Sequence, residues 1–375
     1  MEWVSYATTN SASVRPRTSA VSCYVPALQS LFLHGGSDGN EDFNSTHLLN
    51  LRTLAWYQGQ PSPEPAVGHA LCTAPSEALV VFGGWRKDHY SRDTWLWDWK
   101  TGLWLPGESE EMNGNFGVPW SRRDHAIVLA SDIYIFGGWN AVKWTTGDTA
   151  YTEMWKLDAA WKWHLCEVFG ESPRPRRGHS LTYDLSTNSL IVYGGIYGYS
   201  RYLGDMFALK LSEYVWESID YSGSAPSPRA YHSASLHLSN LFLFGGLLSG
   251  DKVTNELLVF SLDLRTWEKL DLQTAPSPRC GHSCVAIGSS FLIFGGLGAE
   301  DERISLETIW VFETDSEHTF EATLGEIRHK TKLEELADMG IVPPAIPQSL
   351  QKSRFYRPKA RPFDVRSFPK TQSSA

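Results

Sequence analysis

The sequence is poor in cysteine, in positive charge and in long apolar runs. It holds five cysteines in 375 residues and no Cys-x-x-Cys pair, which excludes a zinc ribbon. Cys280 and Cys284 would lie on one strand, roughly 13 Å apart at ~3.3 Å per residue, beyond the reach of a disulfide. The thiols are therefore expected to be free, in a reducing compartment. No apolar stretch approaches the roughly 18 residues a membrane helix needs. The start, Met1-Glu2-Trp3-Val4-Ser5-Tyr6, lacks a basic residue followed by an apolar block, so a secretory leader is not expected. A cytoplasmic location follows, with the nucleus as the second choice. Lys and Arg number 33 against 42 Asp and Glu, a net charge of -9, which argues against non-specific nucleic-acid binding by the body. A phosphate loop, a His-Glu-x-x-His helix and a Ser/His/Asp nucleophile signature are all missing from the chain. Catalysis, cofactor, metal and membrane partner are accordingly not expected.

Aromatics and glycine are abundant: 16 Trp, 15 Tyr, 17 Phe and 31 Gly. That pairing points to many short strands and turns. Six Gly-Gly pairs begin at Gly35, Gly83, Gly137, Gly194, Gly245 and Gly295, separated by 48, 54, 57, 51 and 50 residues. Before them stand runs such as Val80-Val81-Phe82 and Leu292-Ile293-Phe294, which read as fully buried strands. A second apolar run follows each pair, and then a Trp in five units: Trp56, Trp104, Trp163, Trp216 and Trp267. Four units open with Arg-x-x-His: Arg122/His125, Arg176/His179, Arg229/His232 and Arg279/His282. Unit two keeps His69 but has Ala66 in the Arg place, and unit one keeps Arg17.

This constellation resembles the kelch repeat over about residues 1–320. The resemblance implies an all-β fold, a six-bladed β-propeller with one four-stranded sheet per repeat. The first Gly of each pair is expected in a backbone conformation barred to side chains, its missing Cβ leaving room for the in-phase Trp. Trp3 lies 32 residues before Gly35, as Trp104 lies 33 before Gly137. Residues 2–8 are thus expected to complete the last sheet, with Phe320 in 319–324 as the rival. The in-phase histidines would be related by rotation about the channel, too far apart to share a metal, so a structural role is expected.

The turn entering each sheet and the segment after each Gly-Gly fall on the same side of an up-down propeller. Their composition is uneven. Units two to four offer Trp85, Arg86, Tyr90, Arg92, Trp139, Trp144, Tyr197, Tyr199 and Arg201, to which Arg122 and Arg176 add forked donors. Units one and six are acidic instead, with Asp38, Glu41 and Asp42, and Glu300, Asp301 and Glu302. Aromatic and Arg-rich sectors are the composition of protein-binding hot spots. The chain is expected to bind another protein there, through a peptide of acidic or carboxylate-bearing character. Residues 321–342 read as a helix, with Leu324, Ile327, Leu333, Leu336 and Met339 at helical spacing. Residues 343–375 form a basic Pro- and Ser-containing tail. From 351 it holds seven Lys or Arg against one Asp, a composition suited to a second docking partner.

Two alternatives come with the resemblance. Kelch proteins that act as substrate receptors of cullin-type ubiquitin ligases also carry a helical segment after the propeller, though their adaptor box normally has a Cys that is missing here. Specifier-type kelch enzymes carry an iron site of Glu, Asp and His, for which Asp38, Asp42 and His47 are the nearest match, with the wrong first residue and the wrong last spacing.

Overall fold

A computed structural model describes residues 2–74, 78–107, 117–141, 151–315 and 319–329. Among the described residues the chain forms eight sheets, of which six, each of four or five mainly antiparallel strands, are built around one Gly-Gly unit apiece. Blade 4 shows the order: Ser180–Asp184 innermost, then Ser189–Tyr197, Arg201–Lys210 and Val215–Ser218 outward. The second strand of each blade is buried over the four or more residues that precede its Gly-Gly, as in Leu79–Phe82 and Ile133–Phe136, because both faces of an interior blade meet another blade. Turns at the far ends of blades 1 to 3 are set by Asn50, Asp98 and Asp158. Each of these side chains accepts the backbone N–H two residues on.

The innermost strands Val21–Val25, Ala70–Thr73, Ala126–Leu129, Ser180–Asp184, Ser233–His237 and Ser283–Ile287 touch one another in a closed cycle. The fold is a six-bladed β-propeller. Blade 6 is completed by Trp3–Ala7, which pairs antiparallel with Thr308–Glu313 from Trp3↔Phe312 to Ala7↔Thr308. Beyond it, the Thr9 N–H donates to the Leu54 carbonyl and the Trp56 N–H to the Thr9 carbonyl, tying the same segment to blade 1. Phe320 opens the helix Phe320–His329 and packs against Tyr6, with Leu324 buried beside it. Short linker strands Phe169–Gly170 and Ser222–Gly223 pair in parallel with the outer strands of blades 4 and 5, covering edges that would otherwise be open.

The in-phase tryptophans occupy a different place from the expected one. Each packs on the aromatic residue that precedes the Gly-Gly of the previous blade: Trp163 on Phe82, Trp216 on Phe136, Trp267 on Tyr193, Trp3 on Phe244 and Trp56 on Phe294. Trp104 packs on His34, which holds that place in blade 1. The space left by the missing Cβ belongs to the next blade's histidine. A Cβ on Gly137, at φ +68°, would stand 2.4 Å from His179 Cε1 and 2.7 Å from the Arg176 carbonyl. Gly102 has the same φ of +68° with nothing within 4 Å, so the two separate backbone strain from packing. Gly102→Ala should cost about 1–2 kcal/mol, the left-handed penalty alone. Gly137→Ala should cost at least a further 1–3 kcal/mol from forced repacking. Equal denaturant midpoint shifts for the two variants would remove the inter-blade contact from the account.

Candidate functional site: the loop face of blades 2 to 4

The residue after each entry position, an arginine in every blade but the second where it is Ala66, pairs with the residue after the Gly-Gly, as in Val67↔Trp85, Arg123↔Trp139, Arg177↔Ile196 and Ala230↔Leu247. The entry turns and the post-Gly segments therefore form one face. At its centre, six left-handed residues form a closed backbone ring. The N–H of Gly68 donates to the Ser19 carbonyl, Asp124 to Gly68, Gly178 to Asp124, Tyr231 to Gly178, Gly281 to Tyr231 and Ser19 to Gly281. Glycine alternates with larger residues around this ring. The Asp124 carboxylate lies over Gly68 and the Tyr231 ring over Gly178, so the side chains close in where the glycines leave room.

Just outside the ring lie the arginines of the entry turns, and they are structural. Arg122 and Arg176 are both fully buried. The Nε of each donates to the carbonyl two residues back, and Nη1 to the carbonyl of the first Gly of its pair. The remaining donors meet carboxylates: Arg122 lies 3.3 Å from Glu153 and Arg176 lies 2.7 Å from Asp205. Arg229 repeats this with Glu256. Arg122 and Arg176 thus leave the docking set, because their forked donors are used within the blade. Arg86 leaves it too. It is buried, 3.6 Å from Glu64, and stands in for the arginine that Ala66 replaces. Its charge depresses His69, after burial itself, as that of Arg122 depresses His125.

What remains outside is a half-exposed aromatic run. Trp85 meets Tyr90 edge to face at 4.9 Å, and Tyr90 meets Trp139 at 6.0 Å. The Arg177 guanidinium lies over Trp139 at 4.6 Å and donates to the Gly198 carbonyl at 2.7 Å. It thereby holds the tip of the blade 4 hairpin, where exposed Tyr197 pairs with exposed Arg201 and Tyr199 is 69% exposed. Arg174 reaches over Tyr197, and Arg92 is exposed on the blade 2 side. Asp124 anchors the group. It accepts from Arg123 Nε at 3.0 Å, Trp139 Nε1 at 3.1 Å and Tyr231 Oη at 3.3 Å. This carboxylate raises the Arg123 guanidinium above its ordinary range, while burial raises the Tyr231 phenol. Trp144 lies outside the described residues, as do the 108–116 connection and the tail from 330.

The sequence reading missed Arg123, Asp124, Arg174, Arg177 and Tyr231. A signal for two of them is present: only units three and four carry Arg at the first x of Arg-x-x-His, where the others have Thr18, Val67, Ala230 and Cys280. On the acidic side, Asp38 is paired with Arg15 and His47 is buried in the strand Thr46–Asn50. Among the described residues no three His, Cys, Asp or Glu side chains are placed to hold a metal ion. No helix among them is long and apolar enough to cross a membrane.

The ring of blades and the repeated Arg-x-x-His and Gly-Gly contacts agree with a family model, the KLHDC2/KLHL20/DRC7 Kelch-repeats domain, which matches residues 1–182 and 131–326. The chain belongs to the kelch-repeat family. Host cell factor of Drosophila melanogaster is 27% identical to this kelch chain over 301 residues, covering 70% of it and 19% of the fly protein. Dynein regulatory complex subunit 7 of Chlamydomonas reinhardtii is 32% identical over 128 residues, covering 34% of the chain and 11% of the algal protein. The kelch chain therefore spans a fifth or less of the length of these two relatives. Among solved structures, that of YjhT superposes with a TM-score of 0.65 at 16% identity, covering 83% of this chain and 97% of that one; it shares the fold.

Proposed function

We propose that this kelch propeller is a non-catalytic protein-binding module that takes a partner peptide of acidic or carboxylate-bearing character on the loop face of blades 2 to 4. One observation carries the reading: the run Trp85–Tyr90–Trp139 ends under Arg177 and stays half-exposed on the loop face. Rigid rings bring apolar area at small entropic cost. Arg174, Arg177 and Arg201 set cations around them, suited to carboxylates. The acidic loops of blades 1 and 6 would repel an anionic ligand from the other half of the face. The family supports a partner protein: one relative is, by its name, a subunit of a larger complex.

The test is a scan with a partner captured on the immobilised chain. Trp139→Ala and Arg177→Ala are each expected to cost roughly 2 kcal/mol of binding, as hot-spot truncations do. Leu248→Ala and Glu300→Ala should stay within roughly 0.5 kcal/mol of the parent, as changes away from an interface do. Thermal melts of all four variants check that the fold persists. A scan in which the loops of blades 5 and 6 matter and those of blades 2 to 4 do not would sink this reading.

A further inference from the structure

Arg174 has a second neighbourhood. A cavity of about 570 Å3 opens between the outer strands of blade 3 and the linker to blade 4. Its wall includes Met154, Leu165, Val168, Pro173 and Pro175, and Leu165 is left 58% exposed there. The two prolines offer no N–H donor and hold a stiff backbone, so that side of the wall is rigid and apolar. Arg174 lines the cavity and also places its guanidinium carbon 6.0 Å from the Tyr197 ring centre, so one side chain joins the cavity to the aromatic sector. Of the two carboxylates in the lining, Glu153 is engaged by buried Arg122, and Glu167 follows the outer strand Trp163–Leu165.

We infer that this cavity is a second subsite for the same partner, taking a bulky apolar side chain of the peptide whose acidic group lies on Arg174, Arg177 and Arg201. The inference rests on the binding reading above and specifies its ligand: an apolar anchor within about four residues of an Asp, a Glu or a terminal carboxylate, set by ~3.3 Å of reach per extended residue. The volume falls in the range of roughly 300–1,000 Å3 typical of ligand sites. An apolar anchor in a pocket beside charge-assisted contacts is the usual arrangement of a hot spot.

The probe is a phage-displayed library of random short peptides selected on the full chain, followed by synthesis of the enriched sequence. The expected motif pairs a Leu, Ile, Phe or Trp with an acidic group. Leu165→Glu, a change at an exposed position, should weaken that peptide roughly tenfold or more. Replacing the peptide's apolar residue with Ala should cost the parent chain the same and cost Leu165→Glu little, the mark of a direct pair. Bound peptide should also slow alkylation of Cys166, which lines the cavity, read by site-resolved mass spectrometry. Unchanged affinity for Leu165→Glu or unprotected Cys166, with Arg177→Ala still weakening binding, would overturn the subsite and leave the acidic-peptide reading standing. Enriched peptides without acidic groups, or no enrichment over blank support, would overturn both.

Discussion

A chain lacking residues 1–8 is expected to lose its cooperative unfolding transition altogether. Trp3 is 4% exposed and packs on Phe244 and Phe312 at 5.1 and 5.2 Å. Truncating a buried Trp to Ala by itself costs about 3–5 kcal/mol. Deletion goes further, because the whole ladder from Trp3↔Phe312 to Ala7↔Thr308 goes with it. The Thr308–Glu313 strand becomes an open edge, and edges of this kind pair with other chains. The Thr8 hydroxyl bond to Leu306 is lost, and the Thr9 backbone bonds to blade 1 lose the strand that anchors them. Blade 6 then stays joined to blade 1 through their innermost strands, the Ser19 N–H bond to Gly281 and the packing of Trp56 on Phe294, but without the strand that spans the seam. Whole domains of ordinary stability have about 5–15 kcal/mol to lose. The measurement is near-ultraviolet circular dichroism with gel filtration, beside Trp3→Phe, which keeps the strand and should remain folded with a lower melting temperature. A deletion variant that melts where the parent melts would show that the N-terminal strand is dispensable.

The repeat was legible because its period is written in residues that only make sense together. A Gly-Gly after four apolar residues, an Arg and a His ahead of it and a Trp behind it fix the phase of each blade. The distance from Trp3 to Gly35 along the chain is enough to place Trp3 in that phase. What lay beyond reach were contacts between blades. Nothing within unit three says that the space at Gly137 is filled by His179 of unit four, since that is a property of how neighbouring sheets stack. Arg122 and Arg176 look in sequence like donors for a ligand, and only the carboxylates at Glu153 and Asp205, each just ahead of a third strand or within it, point inward instead. Arg86 was harder still. It comes from just beyond the Gly-Gly of its repeat to serve where Ala66 cannot, and only the folded chain puts Glu64 and His69 beside it. The candidate site was legible as a sector, through Trp85, Tyr90, Trp139, Tyr197 and Arg201. Its internal wiring through Asp124 was not, because a left-handed Asp in a turn carries no mark that its carboxylate will collect an Arg, a Trp and a Tyr.

Mild acid is expected to unfold the propeller, with a midpoint near pH 5. Seven histidines, His34, His47, His69, His125, His179, His232 and His282, are buried or nearly so and all are held below their ordinary value of 6.5. Burial is the largest cause in each; next comes an arginine in six of them, such as Arg122 beside His125 or Arg229 beside His232, and the neighbouring His69 in His34. His47 is lowered to about 4, and His69, His232 and His282 to about 3. The unfolded chain therefore binds more protons than the folded one between 6.5 and those values, and stability falls as the pH falls through that window. Above 6.5 both states leave these rings neutral and the contribution is full. Each such histidine shifts the unfolding equilibrium roughly tenfold per pH unit once below its unfolded value. Seven acting together exhaust a stability of about 5–15 kcal/mol within roughly two pH units. A pH titration followed by tryptophan fluorescence should show one steep transition that takes up several protons at once. His125→Gln should make that transition shallower by about one proton, since its ring packs on Phe82 in the buried interface and no longer titrates. A parent chain that keeps its native fluorescence at pH 4 would overturn this account of acid unfolding by the buried rings.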